Sequence, residues 1–213
     1  VTTSRVPSHP VSDGDVAGAD DTTVIIVPGL RDHVAEHWQT HLAEALASAG
    51  RQVRTLAPAD ADDRFSCAAR VAALDEAVTS APGPVVLVAH SAGVLITVHW
   101  ATVHRAGLDR TDDKVRGALL ATPPDLDQPM HPPHPSKEVL ETNGWFPVPR
   151  EPLPFPSLVV ASSDDPLAGL DRVRDLARGW GSRVVEVGAV GHLNPASGYG
   201  PWPRAEEFLR ELV

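Results

Sequence analysis

Val85-Val86-Leu87-Val88-Ala89-His90-Ser91-Ala92-Gly93-Val94-Leu95 is an apolar run that stops at a single serine between small residues and resumes with helical spacing. It reads as a strand, a tight turn and a helix, with Ser91 at the apex. A serine held on such a turn has a strained backbone, and the strand end and helix start pass so close that positions two before and two after it must be small. Ala89 and Gly93 meet that condition. The helix start also aims free N–H groups and the positive end of its dipole at the serine, which suits a site where negative charge develops on oxygen. A small-x-Ser-x-Gly segment also arises at ordinary strand-loop-helix junctions, so partners for Ser91 must be sought elsewhere in the chain.

Outward from this stretch, strand and helix patterns alternate. Before it, residues 24–27 (Val-Ile-Ile-Val) are apolar at every position, as in a strand buried on both faces of a parallel sheet. Helical spacing covers 35–49, closed by Gly50; residues 51–57 read as a strand and 66–80 as a helix with Val71, Leu74 and Val78 on one side. After it, the helix runs to about residue 104 and a polar connection over 107–114 leads to a strand at 115–121. Further strands are predicted at 157–161 and 184–187, with helices at 167–178 and 205–212. This alternation predicts an α/β fold built on about six strands, a mainly parallel, doubly wound sheet with flanking helices. Residues 1–22 read as a loose leader and 23–213 as one domain. Within that domain, residues 123–156 carry eleven prolines and are expected to form a small lid or pocket wall.

In doubly wound sheets the chemistry sits at the carboxyl ends of the strands, so the loops that follow the strands should supply Ser91 with partners. The loop after the fifth strand reads Ser162-Ser163-Asp164-Asp165-Pro166, and the loop after the sixth Gly188-Ala189-Val190-Gly191-His192-Leu193-Asn194. A hydroxyl needs a base to take its proton, a histidine can do so near neutral pH, and a carboxylate on the other ring nitrogen fixes the tautomer. The chain order Ser, Asp, His is that of the α/β-hydrolase triad, giving Ser91, Asp165 and His192 as catalytic candidates. Asp164 competes with Asp165 for the acid role, but the residue before a proline is held extended, which favours Asp165. An oxyanion hole would use the backbone N–H of Ala92 and one from the turn after the first strand, at Leu30.

Together Val27-Pro28-Gly29, His37-Trp38-Gln39, Ala89-His90-Ser91-Ala92-Gly93, Leu153-Pro154-Phe155-Pro156-Ser157, Ser163-Asp164-Asp165-Pro166, Gly191-His192-Leu193-Asn194 and Ser197-Gly198-Tyr199-Gly200-Pro201-Trp202-Pro203 resemble the YdeN-type branch of the small serine hydrolases, which includes retinoblastoma-binding protein nine. The resemblance spans about residues 24–212. It implies an α/β-hydrolase fold with no large cap domain, a metal-independent Ser91, Asp165, His192 triad with Asp165 as its acid, no cofactor, and hydrolysis of small esters or amides. Ala89 replaces the first glycine of the wider superfamily's elbow, which this branch tolerates. Acyl transfer or cyclisation on the same triad is the close alternative; a non-catalytic interaction protein would show a lost triad member, and none is lost.

The remaining signals are weaker. His37, Trp145, Phe146 and Tyr199 flank the predicted loops and are candidates for the substrate pocket. His33, His37 and His41 share a helical spacing that can grip zinc, but the His-Glu-x-x-His arrangement is missing and no metal is expected. His131 and His134 are read as solubilising, His90 as structural and Cys67 as a small core residue that forms no internal disulfide, being the one cysteine. A net charge of −10 argues against nucleic acid or an anionic membrane as partner. No signal peptide or membrane span is visible, so a cytoplasmic location is expected. The scarcity of lysine beside abundant Ala, Arg, Asp and Pro suggests a high-GC bacterial genome. Oligomeric state is not legible.

Overall fold

The computed structural model describes residues 21–32, 34–107, 114–130 and 132–212. Residues 1–20 of the expected leader, His33, His131 and the core of the polar connection, 108–113, lie outside them.

Each expected strand forms: β1 (Thr23–Val27), β2 (Val53–Thr55), β3 (Val85–His90), β4 (Val115–Ala121), β5 (Ser157–Ala161) and β6 (Arg183–Glu186). They form one sheet in the order β2-β1-β3-β4-β5-β6, and every pair is parallel. The helices between them are α1 (Trp38–Ser48), α2 (Cys67–Thr79), α3 (Ala92–Gly107), α4 (Lys137–Thr142), α5 (Leu170–Trp180) and α6 (Arg204–Leu212). The fold is the α/β-hydrolase fold expected from the sequence.

Alternation of side chains along buried strands feeds two cores. Ile25, Val27, Leu87, Ala89, Leu120 and Val159 meet Leu74, Leu95, Trp100, Leu140, Val173 and Trp180 from α2, α3, α4 and α5 on one face. Val24, Ile26, Val86, Val88, Leu119 and Val160 meet Trp38, Leu42, Phe208 and Leu209 from α1 and α6 on the other. α3 follows the strand at the centre of this arrangement and is buried at Val94, Leu95, Ile96 and Val98 alike.

The chain winds outward from β1 to β2 and then returns to place β3 on the opposite side of β1. That reversal opens a crevice at the carboxyl ends of β1 and β3, where Val27 pairs with Ala89 in register. The segment that leaves β1 and the turn that leaves β3 are therefore neighbours.

Two helix starts differ from the sequence reading. α1 begins at Trp38 rather than 35, because His37 caps it, its Nδ1 accepting the Gln39 N–H at 3.2 Å. α5 begins at Leu170 rather than 167, because the Leu167 N–H is committed to the Asp165 carboxylate at 2.9 Å and the Leu167 carbonyl to Asp125 N–H. The proline-rich excursion contributes α4 and is otherwise irregular. It starts as a buried segment, Thr122 to Leu126, anchored where the Asp125 carboxylate accepts from Arg172 Nε at 3.1 Å.

Candidate active site

Ser91 has φ of 57°, in the left-handed region that side chains other than glycine rarely occupy. Its N–H donates to Ala121 O at 2.9 Å and its carbonyl accepts from Val94 N–H at 2.9 Å, so the turn is pinned to β4 on one side and α3 on the other. The need for small neighbours is direct. A Cβ on Gly93 would stand 2.2 Å from Val27 O and 2.8 Å from Pro28 O, and one on Gly29 would stand 3.2 Å from the Ser91 Cβ. Gly93 thus lets α3 touch the end of β1, and Gly29 leaves room for the serine side chain; the second requirement escaped the sequence reading.

The loop beyond β6 brings His192 to that turn. His192 Nε2 lies 2.8 Å from Ser91 Oγ, and His192 Nδ1 lies 3.0 Å from each carboxylate oxygen of Asp165. Because Asp165 Oδ1 also accepts the Leu167 N–H, the carboxylate is held from both sides. The Asp165 side chain is 1% exposed and that of His192 7%. A hydroxyl, an imidazole and a buried carboxylate in line can move the hydroxyl proton to Nε2 while the carboxylate orients the ring.

Asp164 points elsewhere. Its Oδ1 accepts from Gly191 N–H at 2.7 Å and from Ser162 Oγ at 2.8 Å, while Ser162 Oγ accepts from Val190 N–H at 3.2 Å. These bonds hold the Asp164 carboxyl below its ordinary range, the Gly191 N–H contributing most. They also tie the loop carrying Asp165 to the loop carrying His192. The His192 main chain is fixed a second time, its N–H donating to Ser197 Oγ at 3.0 Å and its carbonyl accepting from His90 Nε2 at 2.9 Å. A side chain at Gly191, where φ is 56°, would collide with that hydroxyl.

His37, His90 and His192 are packed in series, with ring centroids 4.6 Å apart for the first pair and 4.9 Å for the second. Burial, reinforced by the neighbouring imidazoles, lowers His37 to about 4 and His90 well below its ordinary value. Both rings are therefore neutral at physiological pH.

The residues border a cavity of about 420 Å³. Ser91, Ala92, Leu30, His37, His192 and Trp145 all line it. Ala92 is the first residue of α3, so its N–H has no intrahelical acceptor. Trp145 is also fully buried, its indole N–H donating to Phe65 O at 2.6 Å. The expected pocket roles of Phe146 and Tyr199 are corrected, since neither is among the lining residues. Phe146 packs on the first core with Lys137 over its ring, and Tyr199 is drawn against the second, its N–H bonded to Asn194 O. In their place the excursion presents Leu126, Met130, Pro135 and Leu140. His134, read as solubilising, also lines the cavity. Among the described residues no group of three or more His, Cys, Asp or Glu is arranged to hold a metal, and no helix is long and apolar enough to cross a membrane.

Solved structures share this architecture. A YdeN-like hydrolase from Pectobacterium atrosepticum is 28% identical and superposes with a TM-score of 0.67, with 90% of each chain covered. The ydeN gene product of B. subtilis is 17% identical at a TM-score of 0.65, covering 90% of this chain and 98% of its own. Est1E from Butyrivibrio proteoclasticus, solved with ferulic acid bound, is 13% identical at a TM-score of 0.65, covering 92% of this chain and 91% of its own. A comparison with curated proteins gave no match. The profile of the serine hydrolases matches residues 24–211, from β1 into the last turns of α6, and on that match the chain belongs to the serine hydrolase family.

Proposed function

We propose that this hydrolase cleaves small esters or amides through an acyl-enzyme on Ser91, without metal or cofactor. The observation that carries the reading is the continuous path from Ser91 Oγ to His192 Nε2 at 2.8 Å and from His192 Nδ1 to Asp165 at 3.0 Å. Facing the Asp165 carboxylate, Nδ1 keeps the ring proton and Nε2 offers its lone pair to the serine hydroxyl. Ser91 Oγ attacks the carbonyl carbon as its proton passes to His192 Nε2, and the carbonyl oxygen becomes an oxyanion. Leu30 and Ala92 N–H groups are the proposed donors to it, each worth roughly 10²- to 10³-fold in rate. His192 then gives the proton to the departing alcohol or amine, the carbonyl re-forms, and water repeats the sequence to release the acid and restore Ser91.

Exposure of wild type and Ser91→Ala to a fluorophosphonate tests this. Wild type is expected to lose its esterase activity with one label per chain on Ser91, and Ser91→Ala to remain unlabelled. Equal labelling of both, or none of folded wild type, overturns the assignment.

A further inference from the structure

The two walls of the cavity differ in chemistry, and they rise from opposite faces of the sheet. Leu126, Leu140 and Trp145 belong to the core under α2 and α3, with Leu30 and Met130 packed against it, so that wall is apolar apart from His134 of the same excursion. The other wall comes from the start of α1 and the loop that follows His192, joined below by Trp38 against Trp202 at 5.0 Å, and it presents His37, Thr40 and Asn194. His192 stands on this polar side, in series with His90 and His37.

The tautomer of His37 follows from its capping bond. Nδ1 accepts the Gln39 N–H, so the lone pair is there and the ring proton of the neutral imidazole is on Nε2. That Nε2–H donates to no acceptor among the described residues, although the ring is buried to 8% exposure and borders the cavity. Of the polar groups beside it, the Thr40 hydroxyl donates to Val34 O at 2.7 Å, the Gln39 amide donates to Val27 O and Val88 O, and Asn194 Oδ1 accepts from Ser197 N–H and Oγ. An imidazole N–H that borders the cavity and meets no protein acceptor is left to bind an acceptor in whatever fills it.

In the proposed reaction the leaving group must stand beside His192, because Nε2 protonates it. The acyl chain is then left with the apolar wall. Resting on that reaction, we propose that His37 is a specificity-determining residue whose Nε2–H binds an acceptor oxygen in the leaving group. The preferred substrates are esters that join an apolar acyl chain to an alcohol carrying a further hydroxyl, ether or carbonyl oxygen. No charge is required of either part, which distinguishes this class from esters of anionic or cationic alcohols.

The test uses two isosteric esters with the same acyl group, 2-methoxyethyl hexanoate and butyl hexanoate, which differ by one ether oxygen replacing one methylene. Since kcat/KM reports the steps through acylation and the acyl-enzyme is common to both, their ratio isolates the leaving group. Wild type is expected to favour the ether ester by about 3- to 10-fold, the worth of one neutral hydrogen bond. His37→Ser keeps an oxygen to cap α1 and removes the ring proton, and its ratio should fall to about one. Each ratio is internal to one enzyme, so a general loss of stability or activity cancels. A wild-type ratio near one, or a ratio retained in His37→Ser, overturns the proposal. Fluorophosphonate labelling run alongside separates the two failures: labelled enzyme with a ratio near one refutes the leaving-group assignment alone, while unlabelled enzyme that hydrolyses neither ester refutes the acyl-enzyme reading and this proposal with it.

Discussion

The contact of α3 with the end of β1 at Gly93 sets both the fold and the proposed oxyanion site, so a single methyl group there should damage both. A Cβ at this position would lie 2.2 Å from Val27 O, 2.8 Å from Pro28 O and 2.9 Å from Val27 C, all backbone atoms. No side-chain rotation can relieve that; β1 and α3 must separate by about 1 Å to restore ordinary van der Waals spacing. Two effects oppose each other. Alanine gains up to about 1 kcal/mol over glycine in a helix, less at its first turn. Overpacking a close-packed site costs about 1–3 kcal/mol, and more when the obstacle is main chain. Steric cost wins, and Gly93→Ala should lose about 2–3 kcal/mol, which moves the urea midpoint down by roughly 1 M. The separation also carries Pro28, Gly29 and Leu30 away from Ser91, so loss of a correctly placed Leu30 N–H should lower kcat by about 10²-fold or more. Gly169→Ala is the control, since a Cβ there meets nothing within 4 Å; as an N-cap change from glycine to alanine it should cost about 0.5–1 kcal/mol. Denaturation curves and turnover of a p-nitrophenyl ester measure both quantities. A Gly93→Ala protein as stable and as active as the Gly169→Ala control would refute the steric argument for the elbow.

Asp165→Asn should lower kcat by about 10³- to 10⁴-fold by disturbing the His192 tautomer, whereas Asp164→Asn keeps an acceptor for Gly191 N–H and Ser162 and should lose less than about 10-fold; the opposite ranking in ester turnover would show Asp164 to be the acid. His37 falls from 6.5 to about 4 on folding, so between those values the unfolded chain holds a proton that the native state lacks, and stability falls as pH drops through that window. His37 contributes up to about 3 kcal/mol of this loss and His90 adds to it in the same direction, so urea midpoints that stay level from pH 7 to pH 5 would contradict the buried neutral imidazoles. Cys67 is 3% exposed and burial raises its thiol to about 11; a thiol-reactive dye at pH 8 should find no reactive cysteine in native protein and one after unfolding, and rapid native labelling would contradict its burial.

The inner strands of the sheet were legible in the sequence because strands buried on both faces are almost wholly apolar, and the loops after them were legible as a consequence. Ser91, Asp165 and His192 could be gathered without coordinates because a parallel sheet puts all strand ends of one sense at one edge. Legibility ended where periodicity did. Residues 123–156 carry no repeating pattern, so nothing in the sequence separated the residues that turn inward, Leu126, Met130 and Leu140, from Phe146, which turns away. The start of α1 was missed because histidine is not among the residues favoured as caps, although His37 does that work through Nδ1. Gly29 was missed for a different reason: its constraint comes from Ser91, 62 positions later, and no local pattern encodes a contact across two strand ends.

Strain at the site and stability in the sheet belong to one design. Ser91, Thr122 and Leu193 all have positive φ, at 57°, 47° and 48°, and each lies just beyond a strand end or in the loop carrying His192. A left-handed residue other than glycine costs on the order of 1–3 kcal/mol, so it persists only where its surroundings over-determine it. For Ser91 and Thr122 those surroundings are the most enclosed strands of the sheet. β3 is buried at all six positions and paired on both sides by β1 and β4, and the strained residues extend that ladder, Ser91 N–H to Ala121 O and Thr122 N–H to Val160 O, both at 2.9 Å. The Leu193 region is held differently, by side chains: Ser197 on the His192 N–H, His90 on its carbonyl and Asp164 on the Gly191 N–H. The serine is thus fixed by the core and the histidine by a hydrogen-bonded loop, so changes to Asp164 or Ser197 should move His192 relative to a stationary Ser91 rather than unfold the elbow.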